Sequence, residues 1–225
     1  MKNSDISYFY SSVEVEEVFK EDSTIKTKQI PLYLYNSFKD ISYKADERKD
    51  IMFIGGFAHE PNVDAVEWFT RDIWPHIQAK LPNICFYIIG SKPTDEILKL
   101  ANEHIVVTGF VDDQKLEDYY SKCKLVVAPL RFGAGVKGKI IDSLYRGVPV
   151  VTTTIGAEGI QDADKIMKVS NSNSFANDVA ELYENNLQLE EYSQKGLQNC
   201  KKYFSYEYAK NQLSEFMFEV NGIKE

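Results

Sequence analysis

From residue 50 onward, short apolar runs rich in Val and Ile alternate with stretches in which apolar residues recur every three or four positions. The runs read as strands buried on both faces and the stretches as amphipathic helices. Their alternation along one chain is the mark of a parallel sheet wrapped by helices, so the expected fold class is α/β. Predicted strands are Ile51 to Ile54, Ile84 to Ile89, Ile105 to Val107, Leu125 to Ala128, Val148 to Thr152 and Ile166 to Val169. Val66, Phe69, Ile73 and Ile77 mark a helix begun near Asn62 or Asp64 and ended by Leu81-Pro82-Asn83. Further helices are expected from Asp95 to Asn102, from Leu116 to Lys122, and from Lys137 to Arg146-Gly147, where glycine supplies a left-handed cap. Beyond Val169 the spacing of Phe175, Val179 and Leu182, then Leu189 to Tyr203 and Tyr206 to Val220, predicts helices that cover the sheet.

The first fifty residues differ. Ile6 to Tyr10 reads as a strand, Glu14 to Phe19 as a helix, Ile25 to Leu34 as an extended segment, and Lys39 to Asp50 as a charged linker. No internal repeat or low-complexity tract is seen.

Composition narrows the function classes. At 44% hydrophobic and 27% charged residues, the chain can build a sizeable core under an ordinary soluble surface. No run approaches the ~20 apolar residues of a spanning helix, and the opening MKNSDISYFY lacks a signal-peptide pattern. A cytoplasmic protein is expected, with no transmembrane segment and at most peripheral contact with a membrane. A formal charge of −8 argues against a nucleic-acid partner, which needs a broad basic surface. Cys85, Cys123 and Cys200 are odd in number and far apart, with no His or Cys at ligand spacing, so they read as reduced thiols, Cys85 filling a strand.

Against that acidic background, Lys137 and Lys139 stand in the segment PLRFGAGVKGK, residues 129–139, between a predicted strand and a predicted helix. Gly133, Gly135 and Gly138 let the backbone turn and approach a ligand, and the free N–H groups at the helix start favour an anion there. The spacing is neither that of a Walker loop nor GxGxxG. A Gly-rich turn with two solvated lysines is the plain alternative. Asp142, three residues after Lys139, shares its helix face and could accept from ribose hydroxyls, or simply pair with Lys139. Gly55-Gly56-Phe57-Ala58-His59 forms a second permissive loop after the first strand. It could face a sugar and diphosphate, although a lone loop His59 is more often a surface residue and Asn62 reads as a helix cap. Gly90-Ser91 and Gly109-Phe110-Val111 end the next two strands on the same edge, where they could form a nucleobase slot.

Together, IMFIGGFAHEPNVDAVEWF, FYIIGSKP, IVVTGFVDD and LVVAPLRFGAGVKGKIIDSLYRGVPVVTTTIGAEGI resemble the C-terminal domain of the family four (group 1) glycosyltransferases, retaining enzymes of GT-B fold. The resemblance covers roughly residues 45 to 220, and FGAGVKGKIIDSLYRGVPVV with the GAEG turn at Gly156 to Gly159 is its most specific part. It implies a Rossmann-like donor-binding domain over residues 46–225, with residues 1–45 a small remnant of the N-terminal acceptor domain and linker. The resemblance makes the donor a nucleotide-diphosphate sugar, and the loops at this sheet edge put Gly56, His59, Ser91, Phe110, Val111, Gly133, Gly135, Val136, Lys137, Gly138, Lys139 and Asp142 forward to hold it, with Gly56-Phe57-Ala58-His59 standing where the family has an Arg and a Lys. Lys137 and Lys139 would hold the diphosphate. Asp142 would match the second acidic residue of the family's paired-Glu motif and bind the ribose. The first acidic position falls at Ala134, a departure, although the GAGVKGK form recurs in one branch. No catalytic residue is assigned and no metal is expected. The expected partners are the nucleotide sugar, the missing N-terminal domain and a glycan or glycolipid acceptor, with activity low in that domain's absence. A noncatalytic nucleotide-binding module and a nucleotide-sugar epimerase of the same fold are the alternative functions. A phosphorylated receiver module shares the alternating pattern but has no use for the lysine loop.

Overall fold

The computed structural model describes residues 6–30, 32 and 35–221, with side chains through residue 214. Leu34 of the extended segment predicted near the start lies outside the described residues. A parallel strand–helix–strand unit opens the chain: β1 (Ser7–Phe9), α1 (Ser12–Glu21) and β2 (Thr27–Gln29). Ser11 starts α1 through a capping box, its side chain taking the first-turn amides while Glu14 reaches back to the Ser11 amide.

The body of the chain is a six-stranded parallel sheet. Its strands are β3 (Ile51–Ile54), β4 (Phe86–Ile89), β5 (Ile105–Gly109), β6 (Leu125–Ala128), β7 (Val150–Thr153) and β8 (Lys168–Ser170), in spatial order β5-β4-β3-β6-β7-β8. Alternate side chains feed two cores. Ile51 and Phe53 join Phe69, Trp74, Phe86 and Phe175 on one face; Met52 joins Val126, Ile140, Ile141, Leu144 and Cys200 on the other. Helices α2 (Glu60–Trp68), α3 (Trp74–Lys80) and α8 (Phe175–Glu184) cover the first face, while α5 (Asp113–Lys122), α6 (Gly138–Tyr145) and α9 (Asn186–Tyr203) cover the second. The remaining helices are α4 (Asp95–Leu98), α7 (Ala163–Ile166) and α10 (Tyr206–Asn221).

Strand order runs outward from β3 in one direction and from β6 in the other, so the topological switch point lies between them, where ligands of open α/β sheets bind. The β3–β6 ladder pairs only Ile51 with Leu125 and Met52 with Val126. Both strands run on two residues beyond it, and a crevice opens at their carboxyl ends.

Several expected boundaries move, each for a local reason. The first large helix begins at Glu60 rather than at Asn62 or Asp64, and a wide turn over Phe69–Ile73 interrupts it, because Pro75 has no N–H to give the preceding turn. The second ends at Leu98, where Asn102 Oδ1 draws in the amides of His104 and Ile105 at 2.9 and 3.0 Å and turns the chain into β5. The third starts at Asp113, because Asp112 caps it through the Lys115 amide at 2.8 Å. Cys85 precedes its strand instead of filling it, and Ile166 ends the helical turn before β8.

The stretch from Lys39 to Asp50 is no free linker. Tyr43 and Ala45 are buried in the first core, and the Tyr43 hydroxyl donates to Lys124 O at 2.5 Å. Arg48 closes the end of α5 through the carbonyls of Tyr120 and Cys123, and Asp50 Oδ1 accepts from the Cys85 amide at 2.8 Å. Tyr43→Phe is expected to cost about 1–3 kcal/mol by leaving a buried carbonyl short of its partner. A lowered denaturant midpoint would register the loss, whereas a free linker would leave the midpoint unchanged.

Candidate functional site

The loops after β3 and β6 meet over the crevice. In the β6–α6 loop the backbone reverses through Gly133 at φ +116° and Gly135 at φ +76°, values open to glycine and strained for other residues. Arg131 fixes the loop to α2 by a forked ion pair with Asp64 and lies 5.4 Å from the Trp68 ring centroid. The loop runs directly into α6, which has no side-chain cap. Among the described residues, the Gly138 and Lys139 amides therefore find no protein acceptor and present the positive end of the helix to the crevice.

Lys139 is the central charge. Its ammonium is enclosed between the two loops, donating to Asn62 Oδ1 and lying 4.5 Å from the centroid of the Phe53 ring. Asn62 Nδ2 in turn donates to Gly56 O at 2.8 Å, so one amide side chain joins both loops to the lysine. Asn62 is thus inside the first turn of α2 and serves the site, not the helix cap. No carboxylate of the described residues lies within ion-pair reach of this ammonium. Burial, reinforced by the charge of Lys137, pushes its pKa down to about 7. Lys137 is also drawn below its ordinary value by burial, but Glu158 opposes the shift, with its Oε2 at 3.5 Å from Lys137 Nζ, and Glu14 of α1 adds further negative charge. Glu158 Oε1 accepts from the Gly135 amide at 3.2 Å.

The expected donor residues separate into groups. His59, Gly133, Val136, Lys137, Gly138 and Lys139 line one cleft of about 220 Å³, together with Pro61, Asn62, Leu130, Phe132 and Ala134. Gly135 is not among the lining residues, and its amide donates to Glu158 Oε1 instead. Gly56 and Ser91 lie side by side, a Cβ added at Gly56 falling 3.3 Å from Ser91 Oγ, and the Phe57 amide donates to Ser91 O at 2.9 Å. Phe110 stands at the end of β5 with 77% of its surface exposed, while Val111 packs into the second core. The structure does not bring Asp142 into the cleft. Its Oδ1 accepts from the Tyr35 hydroxyl at 2.5 Å and from Arg146 at 3.1 Å, and the Tyr35 ring stacks on Tyr145 at 3.6 Å. Lys139 and Asp142 consequently do not share a face in use: one reaches over the sheet end, the other turns out toward the N-terminal segment.

Sequence reading missed Glu158, Asn62 and the Arg131–Asp64 clamp as parts of the site. The GAEG turn was visible as a motif, but only the fold brings it against Gly135. Among the described residues, no group of three His, Cys, Asp or Glu side chains is placed to hold a metal ion, and no helix is long and apolar enough to cross a membrane.

This sheet, switch point and cradle agree with the family that the sequence matches: residues 48–185 fit the family described as glycosyl transferases group 1. The chain belongs to the group 1 glycosyltransferases. Among curated relatives, it is 28% identical over 118 residues to an "Uncharacterized 44.6 kDa protein in cps region" of Klebsiella pneumoniae, covering 49% of this chain and 30% of that one. It is 24% identical over 141 residues to a 41.2 kDa protein in the cps region of the same organism, covering 57% and 37%. The chain thus spans about a third of the length of these relatives. Among solved structures it is similar to TarM of S. aureus, with TM-score 0.75 at 16% identity over 93% of this chain and 42% of that one. The pneumococcal O-GlcNAc transferase GtfA, in complex with UDP and GlcNAc, gives TM-score 0.71 at 18% identity over 98% and 46%. The C-terminal domain of a glycosyl transferase group 1 family protein (LpcC) from Francisella tularensis gives 0.59 at 17% identity over 75% of this chain and 96% of that one. The six-stranded parallel sheet flanked by helices is that of these GT-B glycosyltransferases.

The lysine sets a pH dependence. A folded-state pKa below the unfolded value means that the unfolded chain binds the proton more tightly between about 7 and lysine's ordinary 10.5. Charging this group therefore opposes folding in full below pH 7, and the penalty fades as pH rises through that window. In anion-free buffer Lys139→Met is expected to exceed the wild type in stability at pH 6, with the gap narrowing at pH 9, as read from denaturation midpoints.

Proposed function

We propose that this chain is the donor-binding half of a retaining glycosyltransferase, which holds the diphosphate of a nucleotide sugar in the cradle of Gly133 to Lys139. The enclosed Lys139 ammonium carries the reading: a charge held without a carboxylate, beside a second lysine and two unpaired helix-start amides, is a site built for an anion. As the glycosidic bond breaks, negative charge grows on the leaving nucleoside diphosphate. Amides and lysines already fixed in place stabilise that charge without reorganising. These cations fill the role that a metal would otherwise take, so the reading calls for none.

At about 220 Å³ the cleft is smaller than the ~300–1,000 Å³ pockets that enclose whole ligands. A second wall is needed to enclose donor and acceptor. We assign it to an N-terminal domain of which residues 1–45 are the last part, and which would bring the glycan or lipid-linked acceptor and the rest of the catalytic machinery. Alone, the chain would bind nucleotide and turn over poorly. The resemblance to the family four enzymes supports retention of configuration, and the reading takes the site of action as cytoplasmic, with peripheral contact where the acceptor is lipid-linked. Asp142 remains the residue that the resemblance matches to ribose binding, and engaging a ribose would compete with its bond from Tyr35.

UDP is bound in the GtfA structure, which makes a uridine nucleotide the first ligand to try. Calorimetric titration with UDP, GDP and ADP is expected to show one preferred nucleotide, weakened about ten- to a hundredfold by Lys139→Ala, the ~1.5–3 kcal/mol worth of a charged hydrogen bond. No binding to any of them by a folded sample would defeat the reading.

A further inference from the structure

A second hollow, of about 140 Å³, opens where the N-terminal strand–helix–strand unit meets α9 and α10. Tyr10 and Gln29 line it from the ends of β1 and β2, Gln161 from the segment between β7 and α7, and Tyr203 and Tyr208 from the two helices. Leu32 and Phe204 add apolar surface. In a chain with 27% charged residues, none of the residues that line this hollow is charged. Lys202 lies close by, 4.6 Å from the Tyr203 ring centroid, but borders a different depression on α7 and α9.

The hollow is a compartment of its own. Among the described residues, Val136 alone lines both it and the cleft around Lys139. Gly159 leaves room for that partition, since a Cβ there would fall 2.8 Å from Val136 Cγ2 and its φ is +73°. The two sides are fixed to each other through Tyr35, whose amide donates to Phe204 O at 3.3 Å and whose carbonyl accepts from the Tyr206 amide at 3.1 Å. Gln29 Nε2 donates to Tyr10 O at 3.1 Å, which sets the orientation of that amide. The side-chain amide of Gln161 and the hydroxyl of Tyr208 make no hydrogen bond among the described residues.

We infer that this hollow binds one neutral sugar ring of a glycan, at a site separate from the donor cleft and independent of the donor-site reading. Its volume admits a single ring, as an engineered cavity of ~150 Å³ admits benzene. With no charged side chain in the lining, a uronate or a phosphate would give up water without gaining a counter-charge. Tyr203 and Tyr208 meet edge to face, with centroids 5.6 Å apart and planes at 87°, so they form no parallel-walled slot for a flat base. A pyranose ring is puckered, with C–H groups on its faces and hydroxyls around its rim. Tyrosine rings suit the C–H faces, and glutamine amides, which both donate and accept, suit the hydroxyls.

The test is a titration followed by NMR of the backbone amides and tyrosine rings. The probes are the methyl glycosides of glucose, galactose, mannose, rhamnose and N-acetylglucosamine, with glucuronate and uridine as contrasts. At least one neutral glycoside is expected to shift Tyr203 and Tyr208 saturably, and more tightly than either contrast. Gln161→Ala, at an exposed position, and Tyr208→Phe are each expected to weaken that glycoside about three- to tenfold, the worth of one neutral hydrogen bond. Saturation by none of the glycosides overturns the inference, as does tighter binding of glucuronate or uridine at these tyrosines, or an affinity unchanged in both folded variants. Failure of the donor-site reading shows separately, as a wild type that takes a glycoside here and binds no nucleotide.

Discussion

An ammonium group enclosed without a carboxylate is costly, and the proposed donor site accounts for that cost around Lys139 as a charge held ready for an anion. The sheet supplies the enclosure: β3 and β6 part at the switch point, their loops close over the gap, and Phe53 and Asn62 hold the lysine between them. The start of α6 then aims its amides at the same spot. Each part is ordinary in an open α/β sheet, and together they gather two lysines and the start of a helix at one crevice of a chain whose net charge is −8.

Much of this was legible in the sequence because burial on both faces of a parallel strand leaves a plain record. Ile51 to Ile54 and Leu125 to Ala128 match their strands residue for residue. The lysine loop was equally visible as a motif, although a Gly-rich turn with two solvated lysines was its plain alternative; the burial of Lys139 between two loops is what the sequence did not show. What escaped depends on contacts distant in sequence. Nothing near Tyr43 announces that its hydroxyl meets Lys124 O at 2.5 Å, and nothing near Glu158 shows that its carboxylate lies 3.2 Å from the Gly135 amide. Asn62 looked like a helix cap because caps are the commonest use of asparagine before an apolar run, whereas its partners, Gly56 and Lys139, come from two different loops.

The N-terminal strand–helix–strand unit shows a different limit. Its elements were predictable from local pattern, but α1 buries none of its side chains, and Phe19 is 59% exposed. A helix stabilised mainly by packing needs another surface to lean on. The proposed second wall of the cleft would supply it.

The central claim is that Lys139, about half charged at neutral pH, is held for a diphosphate that completes its protonation. Carbon-detected NMR of the Lys139 side chain across a pH titration, with and without saturating UDP or GDP, tests it most directly. The account predicts a midpoint near 7 in the free protein, moving upward by more than a unit when the nucleotide binds. A free-protein midpoint near lysine's ordinary 10.5, or one that does not move in a demonstrably nucleotide-bound sample, would contradict it.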